Sequence, residues 1–178
     1  MSAPEWWCPL PLNCSDTYGE LEIDGDSLHG PAWCAHDLSP LYDSPDFRDD
    51  NPLVETQPGR VARPTVIDET DYSLRLMFSG ATDQAGTPYA SPAGGLLANR
   101  RLFVATFIDP IQTGAVDDLP ATLTVPDAAG GADLVFAFAC QPLKLSGFTL
   151  LAGGYARAVL ELRVPIPDLS SGYGEGGE

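Results

Sequence analysis

The sequence predicts a mainly β fold, a β-sandwich with one flanking α-helix and a long Pro/Asp-rich loop. Three observations predict it. Seventeen Pro and 18 Gly in 178 residues cut the chain into short pieces, which favours a turn-rich β architecture over a helical bundle. Between Tyr72 and Gly80, Leu74, Leu76 and Phe78 alternate with Ser73, Arg75, Met77 and Ser79, the period-two pattern of a half-buried strand. Helical spacing appears convincingly in one place, from Ser91 to Phe107. The length fits one domain with a core of its own, and 44% apolar content excludes wholesale disorder.

Residues 1–20 form an N-terminal arm holding Trp6, Trp7, Cys8, Pro9, Pro11, Cys14 and Tyr18. Paired Trp residues at a chain end rarely stay in water, so the arm is expected to dock on its own domain or on a neighbour. Leu21–Asp24 reads as a short strand, Asp24-Gly25-Asp26 as a turn, and Leu28–Ala35, with Trp33, as the hairpin partner. From His36 to Pro58 the chain carries Pro40, Pro45, Pro52 and Pro58 among Asp37, Asp43, Asp46, Asp49, Asp50 and Glu55. A loop of about 20 residues inside a compact domain is usually functional or interfacial. Gln57-Pro58-Gly59-Arg60 fits a type II turn, and the strand pair between Arg60 and Gly80 follows.

Ser91-Pro92 supplies an N-cap and a first-turn proline. Leu96, Leu97, Arg100, Phe103, Val104 and Phe107 then recur at three- and four-residue steps, and Asp109-Pro110 is the expected stop. The helix is expected to rest Leu96, Phe103, Val104 and Phe107 on Leu74, Leu76 and Phe78. Leu119-Pro120 leads into a strand at Ala121–Val125, and Pro126 with Gly130-Gly131 makes the next turn. Leu134–Cys140 is apolar on both faces, as a central or doubly covered strand would be. Strands at Leu145–Leu151 and Tyr155–Val164 flank Gly153-Gly154, the latter with Ala156, Ala158, Leu160, Leu162 and Val164 on one face. The domain therefore spans 21–168, and 169–178 is a flexible Gly-rich tail.

The net charge of −16, with only nine Lys and Arg, argues against direct recognition of nucleic acid, which needs clustered cations. No apolar run approaches the roughly 20 residues of a membrane span. The first residues lack the basic and apolar regions of a signal peptide, which points to synthesis and retention in a cytosol until some assembly is joined.

Cys8, Cys14, Cys34 and Cys140, with His29 and His36, are the metal-ligand types available. Cys8-x5-Cys14 and Cys34-x-His36 do not match the tight pairs of zinc sites. Disulfides Cys8–Cys14 and Cys14–Cys34 stay open, but a cytosolic origin favours four free, metal-free thiols, with Cys140 a small core residue. Asp24-Gly25-Asp26-Ser27 lacks the later ligands of a calcium loop and reads as a turn. His36-Asp37 has no nucleophile in an elbow context, and neither a Walker loop nor a dinucleotide fingerprint occurs. No enzymatic constellation and no cofactor is expected.

The order of features carries a resemblance. Leu28-His29-Gly30-Pro31-Ala32-Trp33 is followed by Asp37-Leu38-Ser39-Pro40-Leu41, an acidic segment with Arg48 and Asp49, and Pro58-Gly59-Arg60. Arg63–Asp68, the alternating strand to Gly80, Asp83-x-x-Gly86 and the Gly95–Asn99 helix segment come next. Thr122-Leu-Thr-Val-Pro126 and Leu160-Glu-Leu-Arg-Val-Pro165 close the series. Over roughly residues 20–167 the chain resembles the ring-forming tail proteins of long-tailed actinobacteriophages. It is similar to the N-terminal domain of distal tail proteins, often catalogued as minor tail proteins. Full distal tail proteins often add a carbohydrate-binding-like domain, for which this chain has no room, and tail tube subunits share the same core.

The resemblance implies a virion structural protein, made in the host cytoplasm and carried in the tail. Its partners would be copies of itself in a hexameric ring and neighbouring tail proteins, with DNA passing through the channel unbound. Loop 36–60 and the Trp-rich N-terminus would be the arms. Trp6, Trp7, Arg48, Arg60 and Arg63 are the expected interface residues, and Asp43, Asp46, Asp49 and Asp50 the channel-facing ones. Asp37, Asp117 and Asp118 are further acids expected near the lumen. Arg75, Arg100 and Arg101 are further arginines available to meet a neighbour's carboxylates. The alternatives are a major tail tube subunit of the same fold and a β-sandwich carbohydrate-binding module using Trp6, Trp7 and Trp33.

Overall fold

The computed structural model describes residues 10–12, 19–42, 47–48, 66–67, 70–127 and 129–165. The strands are β1 (Glu20–Ile23), β2 (Asp26–Ser27), β3 (Trp33–Asp37), β4 (Phe47–Arg48), β5 (Val66–Ile67), β6 (Thr70–Ser79), β7 (Leu119–Val125), β8 (Leu134–Leu151) and β9 (Tyr155–Val164). Seven of them make one antiparallel sheet in the order β2-β1-β7-β8-β9-β6-β3, while β4 and β5 pair with each other. The fold is thus mainly β with one helical stretch laid on a curled sheet.

The curl originates in β8. The sequence reads as two strands here, but Gln141–Lys144 joins them into one of 18 residues. Leu134–Cys140 pairs with β7, whereas from Gln141 onward the partner is β9. The β8–β9 register shifts between Pro142 and Lys144 and again between Ser146 and Thr149. Such irregularities bend and twist a strand, and they let Pro142, which has no N–H to give the ladder, sit inside one. Both parts of the sheet feed one core: Leu21, Ile23 and Leu123 from the β1–β7 part, and Leu74, Leu76, Phe78, Leu160 and Leu162 from the β6–β9 part.

The first turn behaves as its residues require. Asp24 (φ 54°) and Gly25 (φ 80°) are both left-handed, the conformation of a two-residue hairpin turn, and Ile23 pairs with Asp26. The Leu28 N–H still donates to the Leu21 carbonyl, but beyond it the Leu28–Ala35 segment leaves β1. β3 instead pairs with β6, setting Trp33 opposite Phe78 and Ala35 opposite Leu76. Against β6, Trp33 joins Phe78 in an aromatic cluster with Phe103 and Phe107. β3 also runs on to Asp37, and a 3-10 turn at Ser39–Tyr42 follows. The start of the expected loop is therefore ordered, and Leu38 and Leu41 are buried in the core.

The helix begins as expected at Ser91, whose Oγ accepts the Gly94 N–H at 3.4 Å, with Pro92 in the first turn. It is α1 (Pro92–Phe103), a π-helical turn (Val104–Ile108) and α2 (Asp109–Gln112). Asp109-Pro110 does not stop it. The Asp109 N–H reaches back to the Val104 carbonyl, and this widened turn lies just where a proline ring would otherwise crowd the carbonyl four residues back. Leu96, Phe103 and Phe107 are buried and Val104 packs against the core, but Leu97 is 57% exposed. Phe103 meets Phe78 at 5.4 Å and 75°, and Trp33 at 5.5 Å and 88°, the edge-to-face geometry that aromatic quadrupoles favour. Gly80 and Gly95 set how closely helix and strand approach. A Cβ on Gly95 would strike the Gly80 carbonyl and the Tyr89 ring, and one on Gly80 would strike the Pro92 carbonyl.

Candidate assembly surface

Leu134–Cys140 was expected to be covered on both faces, and among the described residues only one is. Cys140 is buried, and Phe136 and Phe138 are half-buried on the side of Leu119, Ala121 and Leu123. Leu134 and Val135 are 47% and 59% exposed, and Ala137 and Ala139 are exposed as well. Leu150 and Leu151, at the other end of the strand, are 68% and 38% exposed.

Among the described residues each part of β8 has a strand on one side only, β7 or β9. Among the described residues no strand lies along its other edge, where the Leu143 carbonyl accepts from Gln112 Nε2 at 3.0 Å. Soluble proteins usually blunt such an edge with charge or proline. Here Leu134–Gln141 contains neither, and no Asp or Glu occurs from Leu134 to Leu160. In a chain of −16 charge, this hairpin is the part that another acidic molecule would repel least.

The outer face of β9 and β6 is polar and laid out in pairs. Arg163 Nε and Nη2 donate to the two Asp71 carboxylate oxygens at 2.8 and 3.2 Å, and these bonds hold the Asp71 carboxyl below its ordinary range. Lys144 Nζ lies 3.0 Å from Glu161. Arg75 and Arg157 are exposed on the same face. Neither has an ion pair among the described residues.

The arm docks on its own domain where it is described. The Leu10 N–H donates to Tyr155 Oη at 2.8 Å, its carbonyl accepts from Ser79 Oγ at 2.9 Å, and the Leu12 N–H donates to the Pro31 carbonyl. Ser79, read from the alternation as solvent-facing, is buried beneath this crossing. Cys34, on the outer face opposite Met77, is disulfide-bonded, with its partner outside the described residues. The expectation of four free thiols is therefore wrong. Cys140 is a free core residue whose thiol burial pushes up to about 12.

Of the interface residues expected from the resemblance, Arg48 has its backbone paired with Val66 in the β4–β5 ladder. Trp6, Trp7, Arg60 and Arg63 lie outside the described residues, as do Asp43, Asp46, Asp49 and Asp50. Arg100 is half-buried with its guanidinium 5.6 Å above the Phe148 ring. Trp33 is core, 2% exposed, and is not available to stack on a sugar. Asp37 accepts from Ser39 Oγ, which lowers its pKa, and Asp118 accepts from Gln141 Nε2 at 2.9 Å. Among the described residues no group of three His, Cys, Asp or Glu side chains gathers to hold a metal ion. No helix there is long and apolar enough to cross a membrane.

Comparison with family models, curated proteins and solved structures finds no match to this chain.

One buried polar centre escaped the sequence reading. Asn99 is fully buried, donates to the Ser79 and Thr82 carbonyls at 2.8 Å each, and accepts from Tyr89 Oη at 2.9 Å. It ties α1 to the turn after β6, where Asp83 closes its own loop by accepting the Thr87 N–H at 2.7 Å. The only signal was an Asn at a helix position facing the core, since a buried amide survives only when its hydrogen bonds are met.

Proposed function

We propose that the chain is a virion structural protein, a tail ring subunit of distal tail or minor tail type that closes into a hexameric ring around a DNA channel. The observation that carries this reading is β8, a central strand that among the described residues has a strand on one side only along each part, with exposed Leu134, Val135, Leu150 and Leu151 and no acid along it. Edges of this kind call for a partner strand or cover, and a closed ring gives each subunit the same two neighbours with none left over. The resemblance in the order of turns and strand ends supports the same reading. In it, the two parts of the curled sheet act as the two layers of a β-sandwich. Trp6, Trp7, Arg48, Arg60 and Arg63 meet neighbouring subunits. Asp43, Asp46, Asp49 and Asp50 face the channel, where a negative wall discourages adhesion of a phosphate backbone.

A second reading, a tail tube subunit stacked ring upon ring, draws support from the apolar residues at both ends of β8. A carbohydrate-binding module keeps only Trp6 and Trp7 of its three aromatics. The test is sedimentation and electron microscopy of the purified full chain over a range of concentration and salt. Rings are expected, and their assembly should strengthen as salt screens the mutual repulsion of subunits. A chain that stays monomeric throughout would sink the reading. Quantitative mass spectrometry of virions then separates a single terminal ring from a subunit repeated along the tail.

A further inference from the structure

On the outer face of the β6–β9 ladder, Arg75 lies opposite Val159 and Arg157 lies opposite Met77. The two arginines are therefore diagonal neighbours on adjacent strands, a placement that sets residues about 7–8 Å apart. Beside them Thr149 pairs with Arg157 and Ser146 with Val159. Asp71–Arg163 and Lys144–Glu161 lie on the same face, each a closed ion pair. Those pairs satisfy the other two cations of the face. Asp37 stands opposite Arg75 on β3, and its pKa is lowered by the Ser39 hydrogen bond and, to a lesser degree, by this nearby charge, but neither Arg75 nor Arg157 closes an ion pair among the described residues. Such an omission is unexpected where Asp and Glu outnumber Lys and Arg by 25 to 9. It follows from the absence of acid in β8 and most of β9, and like charges placed as close neighbours in a sheet are unfavourable until something meets them.

The geometry points to Arg75 and Arg157 as a docking site for carboxylates, and the occupant is the acidic surface of a second copy of this chain. Guanidinium groups recognise carboxylates with two parallel hydrogen bonds. Ser146 and Thr149 border the patch, their hydroxyls donating to the Val159 and Gly147 carbonyls, while half-buried Met77 and Val159 give it an apolar floor. Charge complementarity selects the partner. The protein is strongly acidic, so its own surface repels itself nearly everywhere, and two unpaired arginines on one face give the register at which copies attract. The inference rests on the ring reading and adds which face of the subunit takes the neighbour's acid.

The experiment uses the full chain as R75Q/R157Q and R75K/R157K. Both arginines are exposed and neither closes an ion pair among the described residues, so both variants should melt near the wild-type temperature. R75Q/R157Q should raise the concentration at half-assembly by at least about tenfold, as the loss of charge-assisted bonds requires. R75K/R157K should recover part of it. In a mixture of isotopically light and heavy R75K/R157K chains, carbodiimide should join the introduced amines to Asp or Glu of the other isotope. If wild type assembles while R75Q/R157Q assembles equally well and no mixed cross-link forms, this docking site is wrong and the ring reading stands. If the wild type never assembles, both fail. If R75Q/R157Q assembles normally but loses binding to a double-stranded DNA oligonucleotide that wild type holds, the face takes phosphate, and a second copy is the wrong occupant.

Discussion

β8 and β9 are the two arms of one hairpin, both rich in apolar residues, and they meet solvent very differently. β9 alternates. Ala156, Ala158, Leu160, Leu162 and Val164 are all buried on one face, and Arg157, Glu161 and Arg163 stand on the other. β8 opens Leu-Val-Phe-Ala-Phe-Ala-Cys without alternation, and both Leu134 and Val135 remain well exposed. An alternating strand needs one cover, and the helix and the rest of the core supply it. A continuously apolar strand needs two, and among the described residues Leu134–Cys140 has one. On the proposed ring reading, the difference separates what folding satisfies from what is left for association.

The largest expected effect lies on the satisfied side. Phe103 has no exposure and touches Trp33, Phe78 and Phe107, so Phe103→Ala should cost about 3–5 kcal/mol in chemical denaturation. Val135→Ala, on the exposed strand, should change the monomer's stability by about 0.5 kcal/mol or less. A comparable loss at Val135 would erase the distinction between the two strands.

The disulfide comes next. It anchors on the outer face of β3, so Cys34→Ser should cost about 2–4 kcal/mol, the usual worth of such a crosslink. With four cysteines and one bridge, thiol titration of the denatured, unreduced chain should find two. Finding four would restore the reduced state expected for a cytosolic protein. Persistence of the bridge fits a particle that leaves the cell.

How legible the molecule is from its sequence depends on the range of the interaction. Local signals held: the Ser91-Pro92 cap, the Asp24-Gly25 turn, and the faces of β6 (save Ser79) and β9, because capping, turn geometry and pleat are fixed within a few residues. Pairing choice did not hold. Trp33 sits where a hairpin back onto β1 was expected, and only the aromatic cluster made with Phe78, Phe103 and Phe107 decides for β6. Asp109-Pro110 is expected to stop the helix, and Leu134–Cys140 and Leu145–Leu151 to be separate strands, yet a widened helical turn and a bulged strand through Pro142 carry the chain on. The exposure of Leu134, Val135, Ala137 and Ala139 was invisible because apolar runs look alike whatever covers their second face. The Arg75–Arg157 pairing was hidden because the strand register that sets them side by side is not written in either strand alone.

Two pH effects sharpen the contrast at smaller scale. Burial lifts the Cys140 thiol from 9.0 to about 12. Below pH about 9 its full contribution is present. As the pH rises from there toward 12, the unfolded chain's thiol ionises and the folded one does not, so stability should fall by up to about 1.4 kcal/mol per pH unit. Cys140→Ala should flatten that part of the profile. The Asp71 carboxyl is shifted the other way by Arg163. Its contribution is present above pH about 4 and lost as the pH falls through its lowered pKa. Both side chains are more than a third exposed, so the worth is about 0–1 kcal/mol. Asp71→Asn should remove it.

Hydrogen–deuterium exchange on the hairpin, followed from dilute chain to assembled particle, tests the central claim most directly. The amides of Leu160–Val164 lie between β6 and β8 and should be protected at every concentration. Those of Val135–Cys140 that point away from β7 should exchange quickly in the dilute chain and become protected as assembly proceeds. Protection of all β8 amides in the monomer, or rapid exchange there in the assembled form, would contradict the account.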